Sequence, residues 1–187
     1  MKKVLLLMLM FLTMGISGFA QNTLTVADGT TTNSYVPVYG FYVDDYVRCQ
    51  TIYPSSMLTG TTNLTGETIL GVTYYLSSPA SDSWGDASFV VKVMEVTDAT
   101  LTAFVDMTNA TTVYSGSLDG TQSTMEISFT TPYTYQGGNL LIEVSSTATG
   151  DYNSVSYYGQ TATGASWQGY SSTSASAVTG SARDFIP

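Results

Sequence analysis

The chain alternates. From Ser123 to Thr130, Met125, Ile127 and Phe129 fall on one side, while Glu126, Ser128 and Thr130 fall on the other. Asn139 to Ser146 repeats the scheme, with Leu140, Ile142 and Val144 inward and Glu143 and Ser145 outward. Leu70, Val72, Tyr74 and Leu76 mark a third inner face, with Thr73 and Tyr75 outside it. A two-residue period of this kind is the signature of strands with one buried face, and no segment keeps a helical 3.6-residue period for long. Phe89 to Val96 is more continuous (FVVKVMEV), which predicts a central strand covered on both faces. Weaker strands are expected at Leu24 to Ala27, Tyr42 to Ile52, Thr112 to Ser115, Ser154 to Gly159 and Ala165 to Ser171.

Turn chemistry separates these runs. Asp28-Gly29, Asp119-Gly120, Gly137-Gly138-Asn139 and Gly150-Asp151 favour tight reversals, and Pro54, Pro79 and Pro132 are expected to break strands or begin turns. Pro54 to Leu58 reads as one helical turn after a strand end. Residues 160–182, rich in Ser, Thr, Gly and Ala, read as a final strand plus a loose connection. About nine to ten short strands imply an all-β antiparallel sandwich, jelly-roll-like, with a closed up-and-down barrel as the alternative. Thirty Thr, fourteen Tyr and seven Phe agree with strands.

Composition narrows the chemistry. The 187 residues hold no His and one Cys. No imidazole is available for a nucleophilic relay, a zinc ligand or general-base work near neutral pH. The lone Cys49 cannot close an intrachain disulfide, and its alternating surroundings, without a neighbouring His or Lys, read as a small buried hydrophobe.

Met1 to Ala20 has the form of a secretory leader. Lys2 and Lys3 precede nine apolar residues, Val4 to Leu12, and Gly18-Phe19-Ala20 places small residues for cleavage after Ala20. Thr13, Gly15, Ser17 and Gly18 interrupt the run short of the ~20 apolar residues a membrane span needs. The expected mature chain, residues 21–187, is one domain that is secreted or held at the cell surface. It keeps Arg48, Lys92 and Arg183 against fourteen carboxylates, a net charge of −11 rather than the −9 of the whole chain. Three scattered cations suit neither a run of phosphates nor an anionic membrane, so nucleic acid and membrane insertion are not expected.

Candidate chemistry is sparse. Glu126 and Glu143 could form a glycosidase-like carboxylate pair if their strands are neighbours, and Glu95 follows Met94 in the most apolar strand. Asp44-Asp45 and the loop Asp82 to Asp86 are the places where calcium could bind, yet neither has the spacing of a dedicated calcium loop, and no cofactor is expected. Exposed aromatics are the better binding signal. Trp84 sits in a polar loop, Trp167 lies between Ser166 and Gln168, and Tyr170 follows. A flat ring beside Asp or Gln suits a sugar, by stacking on its apolar face and bonding its hydroxyls. The bland alternative for each is burial at the end of the sandwich, and the run Tyr35, Tyr39, Tyr42, Tyr46 is open to the same two readings.

Several phrases carry a resemblance: residues 33–45 (NSYVPVYGFYVDD), 50–58 (QTIYPSSML), 71–96 (GVTYYLSSPASDSWGDASFVVKVMEV), 111–120 (TTVYSGSLDG), 132–144 (PYTYQGGNLLIEV) and 157–171 (YYGQTATGASWQGYS). Together they resemble the secreted β-sandwich modules of Bacteroidetes surface proteins, similar to cleaved-adhesin and hemagglutinin-type jelly rolls. The resemblance implies a monomeric, non-enzymatic module contacting glycans or extracellular host proteins. It also implies a longer parent protein, with residues 183–187 reading as a linker or a last strand cut short. Trp84, Trp167 and Tyr170 are the expected contact residues. The competing readings are a structural spacer, which needs both Trp buried and no aromatic cleft, and a carboxylate glycosidase.

Overall fold

The computed structural model describes residues 22–60 and 62–187; the secretory leader expected at 1–20 lies outside the described residues. The strands are β1 (Thr31–Asn33), β2 (Tyr46–Tyr53), β3 (Thr68–Ser78), β4 (Ser88–Val96), β5 (Thr111–Gly116), β6 (Thr124–Thr134), β7 (Asn139–Ala148), β8 (Ser156–Ser171) and β9 (Thr179–Ile186). One helical turn, α1 (Ser55–Leu58), follows β2 where Pro54 predicts it. Every strand pair is antiparallel. The order across the sheet is β5-β4-β7-β2-β8-β3-β6, with β1 and β9 also on β8. The two ends of that order approach each other, and the Thr130 hydroxyl of β6 donates to the Val113 carbonyl of β5 at 3.1 Å. The sheet is nearly closed into a barrel.

The alternating faces point into it. Met125 and Ile127 of β6, Tyr74 and Leu76 of β3, Phe89, Val91 and Val93 of β4, and Leu140, Ile142 and Val144 of β7 share one buried cluster. Leu70 does not join them: it is 46% exposed, and Ile69 packs inward instead. The β3–β6 pairing shifts by three residues between Ile69/Tyr133 and Gly71/Ser128, and an odd shift turns the later side chains to the other face. Pro132 lies within β6 rather than ending it. It falls in the stretch skipped by that same shift, where a missing N–H costs no ladder bond.

The outer face of β4, β7 and β2 carries a second, smaller core. Ile52, Leu101, Met107 and Leu141 are buried there, with Met94, Val96, Val105 and Trp167 against them, under the connection 97–110. This explains the continuous apolar run of β4. It also corrects the outward reading of Glu143, which is 4% exposed beneath that connection. Arg48 Nε donates to its Oε2 at 2.7 Å, and Gln50 Nε2 donates to the same oxygen at 2.7 Å. Gln50 also bonds Val105 both ways, at 2.8 Å each. Arg48 lies over the Phe104 ring, 4.4 Å from its centroid. A buried carboxylate is tolerable only with such partners, and here the partners also pin the connection to the sheet.

Two other expectations change. Leu24 to Ala27 is not a strand; the first pairing is β1, three residues later in register with Tyr157, Tyr158 and Gly159. The segment 160–182 is not loose. β8 runs unbroken through most of it as the strand shared by β1, β2, β3 and β9, and residues 179–186, at the end that read as a linker or a strand cut short, form β9, with Phe185 and Ile186 buried. Small polar residues conceal its core role because Thr51 and Ser166 bond one another at 2.8 Å and Ser166 bonds the Phe185 carbonyl at 2.7 Å inside the fold.

Candidate aromatic binding cleft

The three aromatic residues singled out by sequence are in three different places. Trp84 is 2% exposed and corrects the expectation of a surface indole. Its Nε1 donates to the Asn153 carbonyl at 2.9 Å, and its ring meets Phe89 edge-on, 5.8 Å between centroids. Gly40 and Gly120 leave room for it: a Cβ on Gly120 would lie 2.7 Å from the indole. Trp84 thus plugs one end of the barrel and joins three loops. Trp167 is half-buried in the outer core, on the opposite face of β8 from Tyr170. Tyr170 alone is a surface residue, 40% exposed.

Tyr170 belongs to a patch. Its ring stacks on Tyr42, with centroids 3.7 Å apart and planes 8° from parallel. Tyr39 contacts Tyr35, Phe41, Tyr42 and Tyr170, with centroids 4.9 to 6.2 Å apart, and Phe41 meets Tyr152 at 4.6 Å. The sequence run of tyrosines resolves here: Tyr35, Tyr39 and Tyr42 sit on a segment that folds across β8 and β9, turning at a short 3-10 helix (Gly40–Tyr42), while Tyr46 begins β2. Exposed rings are ordinary one at a time; here Phe41, Tyr152 and Tyr170 are exposed in one cluster with the partly buried Tyr35, Tyr39 and Tyr42.

Beside the patch is a cleft of about 300 Å³ lined by Tyr39, Tyr42, Gln168, Tyr170, Ser181 and Arg183 among others. Antiparallel pairing builds it. Gln168 faces Ser181 and Tyr170 faces Thr179, so these side chains share one face, while Gly169 and Gly180 face each other on the other side. Both glycines are obligatory: a Cβ on Gly169 would lie 1.8 Å from the Thr179 carbonyl oxygen, and one on Gly180 would lie 2.5 Å from Trp167 Nε1.

Two polar atoms in this cleft stand out. Gln168 is 3% exposed, and its Oε1 is buried without a hydrogen-bond partner. Arg183 Nε is in the same condition. Leaving such a group unpaired costs about 1–3 kcal/mol, and both atoms belong to side chains that line this cleft. The Arg183 guanidinium lies over the Tyr35 ring, 4.1 Å from its centroid. Hydrogen bonding with Tyr170 pushes the Tyr42 phenol up to about 12, and burial raises that of Tyr39 above its ordinary value. Both therefore stay protonated at neutral pH and can donate.

Compared with known families, curated proteins and solved structures, the chain matches none of them.

The remaining candidates have structural duties. Glu126 is exposed on β6, whose ladder partner is β3, whereas Glu143 lies on β7 between β2 and β4. Their strands do not pair, so the expected carboxylate pair is not assembled that way. Glu95 braces the β6–β7 turn, accepting from the Gln136 N–H at 2.7 Å and the Gly138 N–H at 2.6 Å. Among the described residues no three carboxylate, thiol or imidazole groups converge as a metal site, at Asp44-Asp45 or Asp82 to Asp86 or elsewhere. Cys49 is buried beneath the tyrosine patch with Val36 and Phe185, and burial pushes its thiol up to about 12. A second concavity, about 320 Å³, is lined by residues 98–105 of the β4–β5 connection and holds neither of the unpaired atoms.

The sequence leaves Tyr39 and Tyr42 open to two readings and gives Arg183 no ligand role. Gln168 was legible only as the polar neighbour of Trp167. Arg183 gave no local signal, because its place depends on β9 pairing with β8.

Proposed function

We propose that this chain is an exported, non-enzymatic binding module of adhesin type, and that it holds an extracellular glycan in the cleft beside Tyr42 and Tyr170. The observation that carries this reading is Gln168: a buried amide with an unpaired oxygen, in a cleft walled by stacked tyrosines. A sugar ring offers both complements, an apolar face for an aromatic ring and hydroxyls for an amide and phenols. The jelly-roll-like sandwich belongs to the same proposal. It is supported by β8, whose first half joins β1 and β3 and whose second half joins β2, while β9 runs beside both halves. The secretory leader and the adhesin-type phrases support export and an extracellular partner.

The spacer reading draws support from Trp84, which is buried as that reading requires. Trp167, which is not fully buried as the spacer requires, and the aromatic cleft favour the binding module over it. A glycan array followed by calorimetric titration separates the two. The binding module requires at least one sugar whose affinity is lost in both Tyr42→Ala and Tyr170→Ala and kept in Tyr75→Ala, a control ring outside the cleft. Absence of any glycan binding by the intact protein leaves an extracellular protein ligand or the spacer in its place.

A further inference from the structure

Resting on the glycan reading of this cleft, we infer that its ligand is an acidic sugar, one whose carboxylate is held by Arg183 while a hydroxyl reaches Gln168. The argument begins with how this chain treats its cations. Among the described residues there are three, Arg48, Lys92 and Arg183, against fourteen carboxylates. Arg48 has all that a partly buried guanidinium wants: the Glu143 carboxylate at 2.7 Å, the Val105 carbonyl at 3.0 Å and the Phe104 ring beneath it. Arg183 has the ring, Tyr35, and a hydrogen bond from Nη1 to the neighbouring Ala182 carbonyl at 3.0 Å, but no ion pair among the described residues.

The carboxylate next to it in sequence acts elsewhere: Asp184 follows it in β9, on the opposite face of the strand, and accepts from the Gly164 N–H at 2.7 Å. A guanidinium seated over a tyrosine ring, with an unpaired Nε and no ion pair among the described residues, suits a two-oxygen acceptor. A single such group, in a strongly acidic chain, suits one carboxylate rather than a polyanion.

The other cleft groups select what carries that carboxylate. Gln168 Oε1 is an acceptor and asks for a hydroxyl; the amide turned over would offer a donor instead. Tyr42 and Tyr170 present the apolar surface. Both unpaired atoms are sealed from water, so the ligand engages them through a turn of the terminal amide or guanidinium. Repulsion from the net negative chain opposes an anion at long range. At physiological salt it is screened beyond roughly 8 Å, which leaves the local guanidinium to decide selectivity.

The test uses the mature protein and matched pairs of oligosaccharides: glucuronic-, galacturonic- and sialic-acid-terminated probes, each beside its carboxyl-reduced counterpart, and one sulfated analogue. Calorimetric titration should show at least one acid bound about tenfold or more tighter than its reduced form, the scale of one charge-assisted pair. Arg183→Gln should erase that difference and keep the weaker neutral affinity, with an unchanged melting temperature showing the fold intact. Equal binding of acid and reduced forms, preference for sulfate over carboxylate, or a difference that survives Arg183→Gln would overturn the acidic-sugar inference and leave the glycan reading standing. No binding by any probe, acid or neutral, overturns both.

Discussion

Tyr42 and Tyr170 lie face to face, 3.7 Å between ring centroids, one from the segment that crosses the sheet and the other from the end of β8. Because Tyr170 is 40% exposed, the pair contributes little buried area and its removal should scarcely disturb the fold. An aromatic pair adds ~0.5–1.5 kcal/mol beyond burial, so Tyr170→Ala should lower stability by about 1 kcal/mol. Ligand affinity should fall by more than about tenfold, because the ring is also the cleft wall. Urea denaturation and calorimetry on one preparation give both numbers; a stability loss several times larger, with affinity retained, would assign the stack to folding alone.

Trp84 should behave in the opposite way. Truncating a large buried aromatic costs ~3–5 kcal/mol, so Trp84→Ala should unfold at much lower urea and leave three loops unanchored. Trp84→Phe keeps most of the ring but leaves the Asn153 carbonyl without its donor, a loss of about 1–3 kcal/mol. Fluorescence offers an independent check. Acrylamide should quench Trp167 and barely touch Trp84, so Trp167→Phe should leave a blue-shifted, quencher-resistant emission.

The outer core predicts its own response. Arg48→Ala leaves Glu143 buried with only neutral donors, Gln50 Nε2 at 2.7 Å and the Ser145 hydroxyl at 3.4 Å. Breaking a buried pair in this way costs ~3–5 kcal/mol, and the 26% exposure of the Arg48 side chain places this one at the lower end. The Val105 amide, which donates to Gln50 Oε1, should lose hydrogen-exchange protection first, as the connection 97–110 lifts. Arg48→Met combined with Glu143→Leu should recover most of the loss. If the double variant is as unstable as Arg48→Ala, the network contributes specificity that packing cannot replace.

How far the sequence reached follows from what each feature depends on. Alternation is local, so β6 and the inner face of β7 were readable residue by residue, as was the helical turn after Pro54. The β3–β6 irregularity was not, because it arises between strands; Leu70 keeps its place in the pattern and loses its place in the core. An outward face in the pattern is not open to solvent where a connection folds back over it, as at Glu143. The polar loop around Trp84 predicts a surface ring, yet burial there is set by Gly40 and Gly120, which come from two other loops. The cleft was half legible. Tyr170 was named from sequence, while Gln168 and Arg183 acquire meaning only from the pairing of β8 with β9.

The missing His makes the pH dependence of stability unusually simple to predict. No imidazole titrates between about pH 5 and 8, so stability should be flat there. Below that range, hydrogen bonds from Thr108 to Asp106 and from Thr121 to Asp119 hold both carboxyls below their ordinary pKa, so their contribution is present above the usual carboxyl range and is lost as acid protonates them. The alkaline limb comes from the core. Burial pushes the Cys49 thiol and the Tyr74 phenol up to about 12, and raises Tyr53 and Tyr157 well above 10. The unfolded chain gives up these protons near ~8.5 for the thiol and ~10 for the phenols, while the folded chain keeps them. Stability is therefore complete below about pH 8 and falls as pH rises toward 12. Urea midpoints measured from pH 5 to 11 should trace a plateau and then a decline that begins with Cys49, and Cys49→Ala should delay that onset to the phenol range. The same thiol should resist Ellman's reagent at pH 8 in the native protein and react fully in urea. A midpoint unchanged up to pH 11, or a thiol that reacts without denaturant, would mean that Cys49 and the three tyrosines reach solvent in the folded state.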